Sequence, residues 1–187
     1  MDVWEALEKR RTVRVFKKGV PEDLLRKILL AGSWAPSGRN SQPWEFIIVN
    51  DPKVIDKIAE QKRLNWIARE MSEEFTRRQL RAFKNSTVVA ICNKKGGLAN
   101  VAAYMAAQNM ALALTAEGMG CVMSTIGGEY GKAVEKLVGL PQEYELAMVL
   151  LMGVPGSFPK KRGQWDACAE NREDFSWLHI NRFGNRK

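Results

Sequence analysis

The chain is short of the residues that build metal centres. It carries one histidine, His179, and three cysteines, Cys92, Cys121 and Cys168, no two of them in a C-x-x-C pair. Zinc sites need several imidazole or thiolate ligands at close spacing, and that supply is missing. A single histidine near the C-terminus also leaves no compelling Ser-His-Asp arrangement. Sparse cysteines in odd number suit a reducing compartment; Cys92 and Cys121 lie in apolar runs and read as core. No apolar run approaches the roughly 20 residues that span a bilayer. The opening M-D-V-W-E-A-L-E-K-R-R carries acids and lacks the apolar centre of a secretory signal. The expectation is a cytoplasmic protein with no membrane partner. With no Pro/Gly/Ser-rich linker and no internal repeat, residues 1–187 read as one domain. Such a chain can bury roughly 70% of the surface its unfolded form exposes.

Positive charge is in surplus: 29 Lys and Arg against 21 Asp and Glu give +8. The excess sits in Arg10 to Lys18, Lys62 to Lys84, and the tail from Lys160. A basic chain invites a nucleic-acid reading, but neither an RNP-like aromatic motif nor a zinc finger accompanies the charge. No nucleic-acid partner is expected. Part of the surplus is assigned to a phosphate-bearing cofactor and the rest to solvated surface.

Helices and short strands alternate along the chain. Asp2 can cap a helix running to about Arg10, and Pro21 stands where a first-turn proline is tolerated. Leu24, Leu25, Ile28 and Leu29 recur at helical spacing up to about Trp34. Ala35 to Pro43 reads as a loop, Glu45 to Val49 as a buried strand, and Asp51-Pro52 as the start of another helix. Leu64 to Phe83 reads as one charged helical stretch with Trp66, Ile67, Met71 and Phe75 scattered through it. Val88 to Cys92 is a second core strand. Leu98 to Gly118 is apolar nearly all round, the pattern of a helix buried on every side. A small domain struggles to bury a helix of that length alone, which suggests a subunit interface. Cys121 to Thr125 is expected as a strand, Lys132 to Val138 as a helix and Glu145 to Met152 as a strand. The tail from Gly153 carries few core residues and would have to pack on something else.

Two phosphate-loop motifs fail. Gly118-Met119-Gly120 begins like a dinucleotide fingerprint, but its sixth position is Met123 and it follows a helix. Gly131-Lys132 resembles the end of a Walker A loop, yet Ile126 stands where a glycine is required and Ala133 where Ser or Thr binds magnesium. These glycines read as a helix stop and a turn. Glu73-Glu74 reads as a solvated face.

Four clusters remain. Arg10-Arg11-Thr12-Val13-Arg14 places three guanidinium groups and a hydroxyl within five residues, a set that suits phosphate; alone it is equally a solvated basic turn. Pro36-Ser37-Gly38-Arg39-Asn40-Ser41-Gln42-Pro43 is stiffened by two prolines. It presents Ser37, Asn40 and Gln42 either to a ligand or to its own backbone. Ser124 to Gly128 ends in two glycines, which let backbone approach a ligand closely. Lys160-Lys161-Arg162 is a basic turn in the tail.

In order and spacing these clusters resemble the nitroreductase family. R-R-T-V-R looks like its R-R-S-x-R, with Thr12 keeping the hydroxyl. P-S-G-R-N-S-Q-P-W-E-F-I-I-V is similar to its P-S-x-x-N-x-Q-P-W-x-F, the most specific of the matches. A-A-Q-N-M-A-L-A-L-T-A-E-G-M-G resembles its long core helix, and K-K-R after G-V-P its K-x-R phosphate turn. The resemblance runs from about Val3 to Arg182. It implies an α+β fold with a central, mostly antiparallel sheet flanked by helices, in an intertwined homodimer with residues 153–187 packing on the partner subunit. It implies two FMN sites, each built from both chains. Arg10, Arg11, Thr12, Arg14, Lys160 and Arg162 would hold phosphate and ribityl groups. Pro36, Ser37, Gly38, Asn40 and Gln42 would reach the isoalloxazine ring from the partner. Ile126, Gly127 and Gly128 would offer backbone beside the ring. Some members also contact the ring from the helix after the first strand, where Lys62 and Arg63 are the candidates.

The implied activity is hydride transfer from NADH or NADPH, through FMN, to an electron-poor acceptor such as a nitroaromatic or a quinone. A cation or backbone N–H near the pyrimidine edge would stabilise the reduced ring, and the first step needs no protein acid or base. The Trp66 to Phe75 stretch either covers the ring and tunes acceptor choice or anchors its helix to the core. Rival readings keep the fold and change the chemistry to reductive dehalogenation, ene reduction or oxygen-dependent flavin breakdown. Others make the chain a non-enzymatic flavin binder or a nucleic-acid binder.

Overall fold

Two strands with every second side chain turned to opposite faces organise the core. The computed structural model of the chain describes residues 1–158. Within them, β3 (Thr87–Lys94) and β5 (Tyr144–Pro155) pair antiparallel from Thr87↔Met152 to Lys94↔Tyr144. β2 (Trp44–Val49) adds to β3, and β4 (Gly120–Ser124) adds to the other edge of β5. A short β1 (Phe16–Lys18) pairs with the far end of β5. All these pairings are antiparallel, and the sheet is flanked by helices, the expected architecture.

The period of two divides the buried residues into two clusters. Val89 and Ile91 of β3, with Met148, Leu150 and Met152 of β5, pack on one side. They meet Leu25 and Ile28 of α2 (Glu22–Ser33) and Ala103, Met110 and Leu114 of α5 (Ala99–Ala116). Val88, Val149 and Leu151 face the other way, against Ile58 of α3 (Pro52–Ile67) and Val134 of α6 (Gly128–Leu137). Each fully buried Leu, Ile or Met contributes about 1.5–3 kcal/mol relative to exposure. Cys92 and Cys121 sit in this interior as expected; burial pushes their thiols up, to about 12 and about 11.

Local signals set several boundaries. The Asp2 carboxylate accepts from the Glu5 N–H at 2.9 Å and starts α1 (Val3–Lys9). Asp51 caps α3 in the same way, through Lys53 N–H at 2.8 Å. Gly118, at φ +70°, stops α5.

Four expectations need correction. Leu64 to Phe83 is not one helix: α3 ends at Ile67, Glu70 adopts φ +56°, and Ser72 caps a separate α4 (Glu73–Leu80) by accepting from Phe75 N–H at 3.2 Å. α5 is not covered all round, because Val101, Tyr104 and Met105 form an exposed stripe in the single chain. α6 begins at Gly128, not at Lys132, so the glycine pair itself opens that helix. The tail does not leave the core at Gly153: that residue pairs with Gly120 and β5 continues to Pro155. β1 was not expected, its three residues being too few to show a period. Among the described residues no helix is long and apolar enough to cross a membrane.

Candidate functional site

The Arg10 to Arg14 segment is held against the edge of β4. Thr12 pairs in parallel with Cys121, and the Val13 N–H donates to the Cys121 carbonyl at 2.9 Å. The approach depends on Gly120, where a Cβ would stand 2.5 Å from Val13 Cγ2. The parallel register carries Arg14 toward the end of β4, just before Thr125-Ile126-Gly127-Gly128.

There the structure brings together residues from four parts of the chain. A cavity of about 290 Å³ is walled by Arg14, Lys62, Trp66, Phe75, Gln79 and Thr125, among others. Thr125 also borders an open cleft of about 660 Å³ with Asn65, Arg69, Tyr104 and Ile126 to Gly128 in its wall. Lys62, Asn65 and Trp66 recur at the i, i+3, i+4 spacing of one face of α3, and Arg69 follows in the turn after it, so this stripe and its continuation line both spaces.

The electrostatics of the smaller cavity are one-sided. Arg14 donates through Nε to the Gln79 side-chain oxygen, not to a carboxylate. Lys62 is buried, donates to the Thr125 carbonyl and lies 4.0 Å from the centre of the Trp66 ring. Burial, with Arg69 adding a like charge, lowers the Lys62 ammonium to about 8. Burial first, and Arg78 second, lower Arg14 as well. Among the described residues no Asp or Glu lines this cavity, and each ion pair lies elsewhere. Desolvated cations without an acid are costly, and an anionic ligand would offset that cost. The Trp66 Nε1 donor is also buried with no hydrogen-bond partner among the described residues.

The two glycines are free of packing demands from their own chain. A Cβ on Gly127 or Gly128 would meet nothing within 4 Å. Gly128 needs its glycine for φ +61°, whereas Gly127 has an ordinary extended backbone at φ −103° and ψ 174°. Gly131 lies below them, where a Cβ would stand 2.5 Å from the Ile126 carbonyl oxygen. The turn is therefore backed tightly by α6 and open outward.

The other candidates fall as follows. Arg11 folds back to donate to the Glu8 carbonyl and, at 2.9 Å, to that of Arg10, closing the end of α1. Arg10 and Thr12 are half-buried beside β4. Arg63 pairs with Glu60 at 2.7 Å and lines neither space, so of the two α3 candidates only Lys62 is at the cavity. Trp66 and Phe75 meet edge to face at 5.2 Å in the cavity wall. Pro36, Gly38, Asn40 and Gln42 are exposed. Ser37 Oγ accepts from the Gln42 N–H at 2.9 Å, and Gln42 Nε2 donates to Asn40 at 3.1 Å. Arg39, Asn40 and Gln42 all adopt positive φ, 54°, 55° and 45°, a strain that clusters at ligand-facing segments. Within one chain this loop borders a separate cleft, with Lys94 to Ala99. Lys160 and Arg162 lie outside the described residues. Sequence reading missed Gln79, Asn65, Arg69 and Tyr104; the helical stripe through Lys62 and Trp66 pointed to Asn65 and Arg69, while nothing local marked the other two.

The Nitroreductase family model matches residues 7–154, and the chain belongs to the Nitroreductase family. An iodotyrosine deiodinase of Thermotoga neapolitana is 32% identical over 167 residues, which span 82% of this chain and 88% of that protein. A protein of Methanothermobacter thermautotrophicus, provisionally named an NADH dehydrogenase/NAD(P)H nitroreductase, is 26% identical over 175 residues, 89% of this chain and 84% of its own. The crystal structure of an oxidized iodotyrosine deiodinase bound to FMN and 3-iodo-L-tyrosine superposes with a TM-score of 0.75 at 27% identity. It covers 87% of this chain and 95% of that one.

Proposed function

We propose that the protein is an FMN-dependent oxidoreductase that passes hydride from NADH or NADPH to an electron-poor acceptor such as a nitroaromatic or a quinone. One observation carries the reading: a buried lysine and a half-buried arginine, with no carboxylate beside them among the described residues, stand next to a glycine turn that is open on its outer side. The donor set fits FMN. Arg10, Thr12 and Arg14 would take the phosphate and ribityl groups, with Lys160 and Arg162 from the tail. Ile126 to Gly128 would present backbone to the ring. FMN, when bound, supplies the hydride chemistry. Arg14 and Lys62 would hold positive charge at the site, Trp66 and Phe75 would exclude water from it, and no protein acid or base is assigned to the first step.

The reading includes a homodimer. Asn40 and Gln42 adopt positive φ, Pro36, Gly38, Asn40 and Gln42 are exposed, and with Ser37 they belong to a loop that borders a different cleft from the glycine turn, as expected of a loop that serves the site of a second copy. The exposed stripe of α5 supports the same assembly. Residues 153–187 are assigned to the same domain, with the part beyond Pro155 packing on the second copy.

A visible flavin spectrum in the purified protein, bleached anaerobically by NADH or NADPH, is the expected result. A folded protein that stays colourless when supplied with FMN would refute it. Reductive dehalogenation is the second reading, supported by the 32% identical deiodinase. Parallel anaerobic assays with a nitroarene and a halotyrosine separate the two.

A further inference from the structure

Lys62 is the one buried lysine of α3, and among the described residues its ammonium has a single acceptor, the carbonyl of Thr125. That carbonyl begins the segment Thr125 to Gly128. On the opposite side the same segment is fixed by α6, where the Gly131 N–H donates to Gly127 O at 3.2 Å and the missing side chain of Gly131 admits the Ile126 carbonyl. Between these two holds, a Cβ on Gly127 or Gly128 would meet nothing within 4 Å. The segment is thus held on one side by α6 and by the Ile126 side chain in the core, and on the other by a single charged side chain. We propose that Lys62 is a positioning residue whose ammonium tethers the Thr125 carbonyl and so sets the position of the Ile126-Gly127-Gly128 turn.

This inference rests on the proposed function for its importance, because that turn is where backbone would meet the cofactor ring. The tether itself is a property of the chain. The groups facing Lys62 are Trp66 of its own helix, Arg69 from the turn after that helix, Arg14 from the segment beside β4, and Gln79 of α4; none of them is an acid. Burial and Arg69 bring the ammonium to about 8, so the charge is lost near the working pH of many enzymes. A charge-assisted hydrogen bond is roughly twice as strong as a neutral one, so the tether weakens as pH rises through about 8.

Global stability responds with the opposite sign. The folded chain releases this proton at about 8 and the unfolded chain holds it to the ordinary lysine value of 10.5. Between those limits the unfolded state binds more protons, and this group's contribution to stability rises with pH. One residue thus loosens a segment over the range in which it strengthens the fold, a signature that a merely structural lysine does not give.

Amide hydrogen exchange on flavin-free protein tests the idea, comparing parent, Lys62→Met and Lys62→Arg at each pH. Methionine keeps the stem against Trp66 and removes the charge, so it should fold at least as stably. At pH 6.5 exchange in residues 124–128 should be about tenfold faster or more in Lys62→Met, the scale of one hydrogen bond to a charged group. The ratio should fall above pH 9, to the few-fold effect of the neutral hydrogen bond that remains. Lys62→Arg should restore protection and abolish the pH dependence. Equal protection in parent and Lys62→Met at pH 6.5 would overturn the proposal. Loss of protection spread over the whole chain would overturn it too, since Lys62 would then support the fold at large. FMN binding by the parent is measured separately, so its failure would count against the proposed function and leave the tether standing.

Discussion

Replacing Gly127 by alanine should separate folding from cofactor binding. The residue has φ −103° and ψ 174°, which alanine adopts without strain, and a Cβ there meets no atom within 4 Å. Alanine restricts the unfolded chain and gains about 0.4–1 kcal/mol. It is a poorer N-cap than glycine and gives back roughly half a kcal/mol at the start of α6. The two nearly cancel, so the melting temperature of flavin-free protein should stay within about 2 °C of the parent. Binding should respond differently. If backbone at Gly127 lies against the flavin ring, the new methyl group occupies space the ring needs. An overpacked contact costs about 1–3 kcal/mol, which is roughly 5- to 150-fold in dissociation constant. Titration of apoprotein with FMN, followed by quenching of flavin fluorescence, reads this directly. Gly128→Ala is the useful contrast, because φ +61° makes alanine itself strained by about 1–2 kcal/mol, and both stability and binding should fall. A Gly127→Ala protein that melts like the parent and binds FMN as tightly would refute the placement of a ligand against the turn.

Arg10→Ala combined with Arg14→Ala should weaken FMN binding by about two orders of magnitude or more, each lost charge-assisted bond costing about 1.5–3 kcal/mol; unchanged affinity in the same titration would remove the phosphate assignment. Val101→Glu with Met105→Glu places charge on the exposed stripe of α5 and should convert the proposed dimer to monomers in sedimentation, with loss of flavin if the site is built from both copies. Substituting Trp66 and Phe75 together should change the ranking of nitroarene, quinone and halotyrosine acceptors while FMN is retained. An unaltered ranking would mean that the pair only anchors its helix.

Much of this molecule is written locally. Near-continuous apolar runs marked the three long strands, because a strand buried on both faces has no room for polar residues. Caps at Asp2 and Asp51 and the stop at Gly118 fixed helix ends through backbone groups within a few residues. Other features carried no local mark. The end of α3 at Ile67 depends on Glu70 adopting a left-handed backbone, a choice that a helix-forming residue does not announce. The exposure of one stripe of α5 could not be told from full burial, since the residues are apolar in either case.

The sequence by itself determined the elements, the excess of cations and the order of the four clusters, since each is a matter of residue type and spacing along the chain. Only the tertiary structure decided which cations lie at the cavity. It turned Arg11 back on α1, paired Arg63 with Glu60, and buried Lys62 against Thr125, 63 positions away. The reason is that a side chain's partner is set by distance in space, and the register of Thr12 on Cys121 and the face of α3 turned to the sheet exist only once the strands have paired.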